Sequence, residues 1–451
     1  MKYDAIIIGT GQAGSPLAGK LIKHGWKVAI IEKGNFGGAC VNVGCTPTKM
    51  YVASARRAYV ANNSEELGVS ASGVKIDLSK IKSRKDGLVE ESRENIRKYL
   101  EEMDGLTIYK GEAKFVSSHT VEVNGSQLEA EKIFINVGAK PRIPEGFENV
   151  EYFTNSSILE IEEVPSHLIV VGGGYIGLEF GQVFRRLGSE VTIIEMSDRL
   201  LKKEDTDVSE AIAEILQNED IAIRVNAKCL SGKKEGNDVV VEVDCDKSES
   251  SKIKGSHILI AAGRVPATDA LDLDKAGIET DDNGYIKVNE VLETNVKGVY
   301  ALGDCNGEGA FTHTAYNDYQ IVYDQLLGDQ KRTLADRFKC YAAYIDPAVA
   351  RVGLSEDEAR EKGIEYQLAK KPMKKIARAR EMGETQGFLK ILVEKETDKI
   401  IGAAFIGPHV DEIIHSIIDV MYTDKPYTVI RDAIHIHPTI SELIPTMLKL
   451  D

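Results

Sequence analysis

Residues 3–32, which read YDAIIIGTGQAGSPLAGKLIKHGWKVAIIE, decide the fold of the first part of the chain. The apolar run at residues 3–8 predicts a buried parallel strand, a GxGxxG motif opens a helix to about His24, and a second strand ends at Glu32. Glycines at these positions let a backbone approach a pyrophosphate at a helix N-terminus, and the terminal carboxylate accepts hydrogen bonds from a ribose. The stretch therefore predicts a dinucleotide site, formed by Gly9, Gly11, Gly14 and Glu32.

The next stretch, GGACVNVGCTPTK at residues 37–49, carries Cys40 and Cys45. In an undistorted α-helix these two Cα atoms would lie roughly 8–9 Å apart, whereas a disulfide tolerates no more than ~7 Å. A disulfide between them requires a distorted helix, which Gly44 allows. The central hypothesis is a redox-active disulfide held close to the dinucleotide. The alternative is a pair of buried, inert cysteines.

The composition excludes several classes of protein. The chain has 451 residues, which suggests about three domains, and its 43% hydrophobic and 28% charged residues are typical of a folded soluble protein. A net charge of −15 argues against binding to nucleic acid or to an anionic membrane surface. The apolar run at residues 5–8 is too short for a signal peptide, and no stretch approaches the ~18 residues of a membrane span. We expect a cytoplasmic protein, in which a cysteine pair is catalytic rather than structural.

The first pattern recurs later in the chain. A strand at residues 167–171 is followed by GGGYIG, which begins at Gly172, and then by a helix and a strand that closes on Glu195. The interval from Gly172 to Glu195 equals that in the first pattern, which predicts a second dinucleotide site of similar geometry. The alternative is a duplicated Rossmann core that kept one ligand. The segment ILIAAG at 258–263 echoes IFINVG at 133–138, which indicates that the second domain is inserted in the first.

The last part of the chain offers candidate functional residues with two interpretations each. Asp304 could hold a hydroxyl of the first ligand, or it could be an ordinary turn aspartate. The apolar stripe of a predicted helix at 411–422 is either core or a contact with a second subunit. His435 and His437 lie on one face of an extended segment. With a carboxylate partner they suit acid–base chemistry, whereas the alternatives are structural histidines or a metal site that lacks further ligands.

Taken in order, the motifs resemble those of the FAD-dependent pyridine nucleotide-disulfide oxidoreductases, the family of dihydrolipoamide dehydrogenase, glutathione reductase and mercuric reductase. They are the first GxGxxG, then GGACVNVGC-x-P-x-K, GGGYIGLE, AAGR, ALGD and HPTISE. The resemblance implies an α/β fold with two Rossmann-like dinucleotide-binding domains, one inserted in the other, and a C-terminal α+β dimerisation domain. It places the FAD domain at residues 1–147 and 265–331, the NAD(P)H domain at 148–264 and the dimer-interface domain at 332–451.

The resemblance also implies how FAD and the cysteines are used. Cys45 would lie against the flavin and form the charge-transfer thiolate, and Cys40 would attack the substrate. Lys49 would pair with Glu179 beside the reactive flavin nitrogen. The FAD contacts would come from Lys49 together with Gly9, Gly11, Gly14, Glu32, Ala113, Gly138, Asp304, Phe311, Thr312 and His313.

By the same resemblance, His437, oriented by Glu442, would be the acid–base group and would reach the cysteines of the other subunit. A homodimer is therefore expected. Glu195 favours NADH, because a carboxylate there repels the 2′-phosphate of NADPH, although basic residues within 199–203 leave NADPH possible. The nicotinamide nucleotide would be bound by Gly172, Gly174, Tyr175, Gly177, Glu195 and Gly263.

The motifs are compatible with three functions. The preferred hypothesis is a flavoprotein that passes electrons from NAD(P)H through FAD to a Cys40–Cys45 disulfide and on to a small disulfide substrate. The alternative substrate is a soft metal ion, Hg(II) or Cu(II), held by the two thiolates. Mercuric reductases typically carry a C-terminal cysteine pair and lack the histidine, whereas here residues 443–451 contain no cysteine and His437 is present. The third possibility, a non-catalytic nucleotide sensor, is disfavoured by the cysteine pair, and no resident metal is expected.

Overall fold

The structure is a computed structural model that describes residues 1–244 and 252–450. Its strands are β1 (Lys2–Ile8), β2 (Val28–Glu32), β3 (Leu106–Lys110), β4 (Ala113–Ser117), β5 (Thr120–Val123), β6 (Ser126–Ile135), β7 (Ala139–Pro141), β8 (His167–Val171), β9 (Glu190–Ile194), β10 (Ala222–Arg224), β11 (Lys228–Glu235), β12 (Asp238–Asp244), β13 (Lys252–Gly255), β14 (His257–Ile260), β15 (Arg264–Pro266), β16 (Val299–Ala301), β17 (Cys340–Ala343), β18 (Ala348–Gly353), β19 (Tyr366–Pro372), β20 (Phe388–Glu394) and β21 (Ile400–Gly407). Its helices are α1 (Gly14–Lys23), α2 (Gly38–Asn42), α3 (Cys45–Asn62), α4 (Leu78–Glu101), α5 (Tyr175–Leu187), α6 (Thr206–Gln217), α7 (Leu273–Ala276), α8 (Thr312–Leu326), α9 (Glu356–Glu361), α10 (Ala377–Glu381), α11 (Val410–Tyr422), α12 (Thr428–Arg431) and α13 (Ile444–Met447).

Residues 1–50, 79–142 and 263–337 form one compact unit. Its main sheet has the order β3-β2-β1-β6-β5-β4, and β16 also pairs with β6. The strands β3, β2, β1, β6 and β16 run parallel, whereas β4, β5 and β6 form an antiparallel meander. Strands β7 and β15 form a separate antiparallel pair.

The central strand of this sheet is covered on both faces. Ile7 of β1 packs with Leu17 of α1 and Val322 of α8 on one face, and Ile6 packs with Phe115 on the other. A parallel strand buried on both sides needs apolar residues at consecutive positions. This explains why the run at residues 3–8 does not alternate between polar and apolar.

The second unit consists of residues 51–78, 143–262 and the chain from 338 onward. It contains a parallel sheet in the order β10-β9-β8-β14 and an antiparallel sheet in the order β11-β12-β13. A third sheet, also antiparallel, has the order β17-β18-β21-β20-β19. Ile414 and Ile417 of α11 are buried in the core of this last sheet, so that part of the apolar stripe is core.

The two strand–glycine–helix–strand patterns form where the sequence predicts them, as β1-α1-β2 and β8-α5-β9. The structure also contains helix α4 and, in the C-terminal part, the short helices α9, α10, α12 and α13 in addition to α11. None of these four exceeds six residues, so none repeats an apolar period. The three-domain boundaries stay a prediction.

Candidate active site

The two cysteines lie on either side of a break between α2 and α3. Val43 has a φ of −145° and ends α2, and α3 begins at Cys45. A Cβ built on Gly44 would lie 2.9 Å from the Ala39 carbonyl oxygen, so the two turns approach each other at a glycine. The helix is therefore interrupted where a Cys40–Cys45 disulfide requires it, and both residues are thiols in the structure.

The two cysteines have different surroundings. A hydrogen bond with the Cys45 side chain and burial raise the pKa of Cys40, while the Thr312 hydroxyl and the Cys45 backbone N–H oppose this rise. Cys45 is exposed, and its Sγ lies 3.4 Å from Thr312 Oγ1. Because Cys45 is the first residue of α3 and lies beside the Thr312 hydroxyl, this arrangement favours Cys45 as the thiolate of the reduced pair.

The cysteine segment packs directly on the first glycine motif. The Gly37 N–H donates to Thr10 Oγ1 at 3.2 Å, and the Gln12 amide donates to the Gly37 carbonyl at 3.3 Å. Gly38 has a φ of +64°, and a Cβ there would lie 2.8 Å from Gly11 Cα. Only glycine fits this approach, which brings the cysteines close to the dinucleotide motif as predicted.

The motif itself is held by Asn136, a residue that the sequence analysis missed. The Gly14 N–H donates to Asn136 Oδ1 at 3.0 Å, and Asn136 Nδ2 donates to the Leu302 carbonyl at 2.8 Å. A Cβ on Gly9 would lie 2.2 Å from the Asn136 carbonyl oxygen, and one on Gly11 would lie 2.8 Å from Asn136 Oδ1. The available signal was an amide at the end of the apolar strand IFIN.

Glu32 is oriented by backbone and hydroxyl donors. Its Oε2 accepts the Thr10 N–H at 3.0 Å and the Thr10 hydroxyl at 2.6 Å, and its Oε1 accepts the Gly34 N–H at 2.8 Å. Gly138 has a φ of +69° with open space around a built Cβ, and Ala113 is buried at the start of β4. The close backbone approaches at Gly9 and Gly11, beside a fixed carboxylate, fit the pyrophosphate and ribose of a dinucleotide.

Asp304 lies in a turn that is anchored by a buried ion pair. Gly303, with a φ of +75°, donates its N–H to Asp318 Oδ2 at 2.7 Å, and Arg337 pairs with the same carboxylate. Burial raises the pKa of Asp304, and the Arg264 guanidinium at 3.6 Å opposes this rise. The sequence assigned no role to Asp318 or Arg337.

Residues Phe311, Thr312 and His313 form the N-terminus of α8, and Thr312 brings this end to Cys45. The rings of Phe311 and His313 are stacked, with centroids 5.4 Å apart and an angle of 9° between the ring planes. The Thr314 hydroxyl caps the helix by accepting the Phe311 N–H at 3.1 Å and donating to its carbonyl at 2.7 Å. The structure thus groups these predicted residues with the cysteine pair.

The second glycine motif repeats the geometry of the first. A Cβ on Gly172, whose φ is +117°, would lie 2.4 Å from the Ala261 carbonyl oxygen, and one on Gly177 would lie 2.0 Å from the Gly172 oxygen. Gly174 precedes α5 with open space around a built Cβ, and Tyr175 is the first residue of that helix. The motif therefore retains the close backbone approach that a pyrophosphate site requires.

Glu195 directly follows β9, as Glu32 closes β2. Its Oε2 accepts the Gly173 N–H and its Oε1 accepts the Ser197 N–H, both at 2.7 Å. Gly263, which was also predicted to bind this nucleotide, lies in the first unit with a φ of +101°. Its carbonyl accepts the Arg142 N–H at 2.9 Å.

The predicted partners Lys49 and Glu179 lie in different units of the chain. Lys49 is on α3, four residues beyond the start of that helix at Cys45. Glu179 is buried on α5, and its Oε1 accepts the Tyr344 N–H at 2.8 Å. Their pairing stays a prediction.

His437 and Glu442 are brought together near the C-terminus. The His437 Nδ1 lies 2.7 Å from Glu442 Oε2; the His437 side chain is 75% exposed and that of Glu442 only 10%. Since a carboxylate accepts, Nδ1–H is the donor, which leaves Nε2 facing away from the acid. His435 instead donates Nδ1–H to the Ser441 carbonyl at 2.9 Å. This distinguishes an acid–base candidate from a structural histidine.

Among the described residues, one set of carboxylates has the spacing of a metal site, formed by Asp205, Asp207 and Glu356. The buried Lys390 ammonium lies among them at 2.8, 2.7 and 3.0 Å. The set is therefore an ion-pair cluster with its own cation. The described part of the chain also contains no helix long and apolar enough to cross a membrane.

Comparison with known proteins assigns the chain to a family. The pyridine nucleotide-disulphide oxidoreductase family matches residues 3–318, and the dimerisation domain of the same family matches residues 340–448. The chain belongs to this family. It is a flavin-dependent oxidoreductase that uses a pyridine nucleotide, and its C-terminal part is a dimerisation domain.

Several relatives are similar over most of their length. The probable pyridine nucleotide-disulfide oxidoreductase RclA of Escherichia coli is 36% identical, with 100% of this chain and 99% of that protein covered. A mercuric reductase of Staphylococcus aureus is 35% identical over 92% of this chain and 76% of the relative. A dihydrolipoyl dehydrogenase of Thermus scotoductus is 33% identical over 98% and 95%. The structure of the Cu(II) complex of E. coli RclA, a HOCl-induced flavoprotein disulfide reductase, superposes with a TM-score of 0.89 at 35% identity, covering 99% of both chains.

Proposed function

We propose that this enzyme reduces a small disulfide through a redox-active Cys40–Cys45 pair, with NADH as the electron donor. The observation that supports this most directly is the break between α2 and α3, which holds two cysteine thiols beside the first glycine motif. Relatives named disulfide reductase and dihydrolipoyl dehydrogenase agree with a disulfide substrate. A pair that must be reduced at every turnover suits the cytoplasm, the compartment that we propose.

The close backbone approaches of the first glycine motif and the oriented Glu32 fit FAD, and Asp304 is placed in an anchored turn beside Arg264. When bound, FAD accepts a hydride and passes its two electrons on. The proposed pairing of Lys49 with Glu179 would place a cation beside the ring. The proposed FAD-binding residues are Gly9, Gly11, Gly14, Glu32, Lys49, Ala113, Gly138, Asp304, Phe311, Thr312 and His313.

The chemistry of the pair balances as follows. Two electrons break the Cys40–Cys45 bond and leave a Cys45 thiolate and a Cys40 thiol. Cys40, deprotonated by His437, attacks the substrate disulfide and forms a mixed disulfide, and His437 returns the proton to the first leaving thiolate. Cys45 then attacks Cys40, which releases the second thiolate, to be protonated from solvent, and restores the internal disulfide. Overall, NADH, a proton and one disulfide give NAD⁺ and two thiols.

NADH is the proposed donor because the second glycine motif presents Glu195, with Gly172, Gly174, Tyr175, Gly177 and Gly263 as its proposed companions. The Arg199 guanidinium, a candidate for holding a 2′-phosphate, is engaged by Thr206 Oγ1 at 3.2 Å and by Asp357 at 3.8 Å. These contacts compete with a 2′-phosphate for the Arg199 guanidinium. We expect kcat/KM for NADH to exceed that for NADPH, and Glu195→Gln to reduce this preference. Equal values for both nucleotides in the wild type would contradict the assignment.

A homodimer completes the proposed site. The His437 side chain is 75% exposed, and the neighbouring Ile434 and Ile436 are 98% and 79% exposed. Apolar side chains this exposed in a dimerisation domain suit burial by a second copy of the chain. We propose that His437, held by Glu442, serves the cysteines of the other subunit.

A soft metal ion is the second candidate substrate. The two adjacent thiols suit Hg(II) or Cu(II), and the relatives include mercuric reductases and the Cu(II) complex of RclA. The retained His437–Glu442 pair favours the disulfide, because metal reduction has no leaving thiolate to protonate.

Anaerobic titration with NADH tests the proposal, followed by turnover with lipoamide, glutathione disulfide, Hg(II) and Cu(II). We expect a long-wavelength thiolate-to-flavin absorbance in the reduced enzyme, which Cys45→Ser abolishes. We also expect His437→Ala to slow disulfide reduction by about 10²–10⁴-fold. If only the metal ions support turnover, and His437→Ala leaves that turnover unchanged, the substrate is a metal ion and the proposed disulfide substrate is wrong.

A further inference from the structure

The hydroxyl of Thr312 has no chemical step in the proposed function, yet it contacts the reactive pair. Its Oγ1 lies 3.4 Å from Cys45 Sγ. The same hydroxyl also lowers the pKa of Cys40. One side chain on α8 therefore contacts a sulfur of the pair that lies 267 residues away in the sequence.

This hydroxyl is not needed to cap α8. Thr314 performs that task, since it accepts the Phe311 N–H at 3.1 Å and donates to the Phe311 carbonyl at 2.7 Å. Residues two apart in a helix do not share a face. Thr314 is thus directed to the helix end, while Thr312 is directed to Cys45.

The surroundings of this contact favour negative charge. Cys45 is the first residue of the 18-residue helix α3, and Thr312 is the first residue of the 15-residue helix α8. The unpaired N–H groups at a helix N-terminus carry partial positive charge and stabilise a nearby anion. Two such ends meet at one sulfur, and a hydroxyl lies between them.

The direction of the hydrogen bond depends on the state of the pair. With a Cys45 thiol, either the sulfur or the hydroxyl can be the donor. A thiolate has no proton, so the hydroxyl must donate to it, and a bond to a charged acceptor is roughly twice as strong as a neutral one. In the disulfide, the Cys45 sulfur carries no charge, and the hydrogen bond from the Thr312 hydroxyl is weak.

We propose that Thr312 is a positioning residue of the redox pair, whose hydroxyl donates to the Cys45 thiolate and stabilises the reduced pair relative to the disulfide. This inference rests on the proposed function and deepens it. Thr312 gains and loses no covalent bond: the electrons come from NADH, Cys40 keeps its proton, and the threonine only stabilises the charge left on Cys45.

The first test isolates Cys45 in the FAD-loaded enzyme. In a Cys40→Ser background, Cys45 is alkylated with iodoacetamide at a series of pH values, and the modified peptide is quantified by mass spectrometry. Thr312→Val removes the hydroxyl and keeps the branched shape, whereas Thr312→Ser keeps the hydroxyl. We expect Thr312→Val to slow alkylation of Cys45 at pH 7 by roughly three- to tenfold and to move the pH midpoint of alkylation upward. Thr312→Ser should restore the rate and the midpoint.

The second test uses the intact pair. We expect Thr312→Val to stabilise the disulfide by about tenfold relative to the reduced pair, which lowers its midpoint potential by about 30 mV for this two-electron couple. The thiolate-to-flavin absorbance should fall at neutral pH and return in Thr312→Ser. Flavin absorbance and circular dichroism check that each variant is folded and loaded.

The outcomes separate the two proposals. If Thr312→Val leaves the alkylation midpoint and the potential unchanged, or if Thr312→Ser fails to restore them, the role of Thr312 is refuted while the disulfide function stands. If Cys40→Ser and Cys45→Ser each retain disulfide turnover, the proposed function fails, whatever the threonine variants show.

Discussion

At the scale of single residues, the glycine and cysteine motifs are held in place by polar side chains outside them. Asn136 bridges the Gly14 N–H and the Leu302 carbonyl. Asp318 holds the turn before Asp304 through the Gly303 N–H. Such residues satisfy buried backbone groups that would otherwise cost free energy, and they fix the conformations that the motifs need.

The first prediction concerns Asp318→Asn. The amide keeps an oxygen for the Gly303 N–H but removes the charge that compensates Arg337, whose side chain is only 10% exposed. A buried charge left without its partner costs about 3–5 kcal/mol of unfolding free energy. We also expect weaker retention of FAD, because this carboxylate anchors the turn that carries Asp304. Urea unfolding and flavin absorbance after ultrafiltration measure the two effects.

Asp324→Asn is the matched control for this prediction. Asp324 lies on the same helix, is buried and pairs with Arg332, and its contacts are with residues after the helix rather than with the turn at 303–305. We expect it to lower stability without a specific loss of FAD. Equal loss of FAD in both variants would contradict an anchoring role for Asp318.

At the scale of elements, the strands and helices of the two glycine motifs formed as predicted, whereas several short helices were not predicted. The helices α9, α10, α12 and α13 could not be predicted from the sequence, because four to six residues do not repeat a helical period. Elements are also joined by charged groups that no pattern reveals. Asp346 accepts from Arg56 of α3 and from Arg186 of α5, each at 2.5 Å.

The second prediction concerns this junction. Burial opposes ionisation of Asp346, but Arg186 and Arg56 hold its pKa below the ordinary value. Its contribution to stability is therefore complete above about pH 4 and is lost as the pH falls through the lowered pKa. We expect Asp346→Asn to cost about 2–3 kcal/mol at pH 7. The difference from wild type should shrink in acid, measured by urea unfolding from pH 7 downward.

Asp220→Asn is the matched control, because Asp220 pairs with Arg185, the residue of α5 next to Arg186. Asp220 pairs with Arg185 at 2.9 Å, but its side chain is 85% exposed. Solvent screens such a pair, so we expect a change within about 1 kcal/mol. If Asp220→Asn costs as much stability as Asp346→Asn, or if the loss in Asp346→Asn does not depend on pH, the stabilising role of the Asp346 ion pairs is contradicted.

At the scale of the whole molecule, the chain belongs to a family with a dimerisation domain, and the proposed dimer would decide whether the active site is complete. The third prediction tests this with two inactive variants, Cys45→Ser and His437→Ala, produced together with different tags. If His437 serves the other subunit, each mixed dimer has one intact site of two, so the doubly tagged fraction should recover about half of wild-type activity, and the unsorted mixture about a quarter. Activity of the doubly tagged fraction against lipoamide measures this outcome. No recovery in that fraction would mean that each histidine serves its own subunit.

The sequence by itself determined the two glycine motifs, the strands and helices around them, the break that a Cys40–Cys45 disulfide requires, and the family. These features depend on intervals between residues close together along the chain, where spacing fixes which side chains share a turn or a face. Only the tertiary structure decided that Asn136, Asp318 and Thr312 support the site. Their side chains could have bonded to any nearby polar group, and folding selected partners such as Cys45 for Thr312, which is 267 residues away along the chain. A hydrogen bond forms by proximity in space, and the sequence carries no local period that records it.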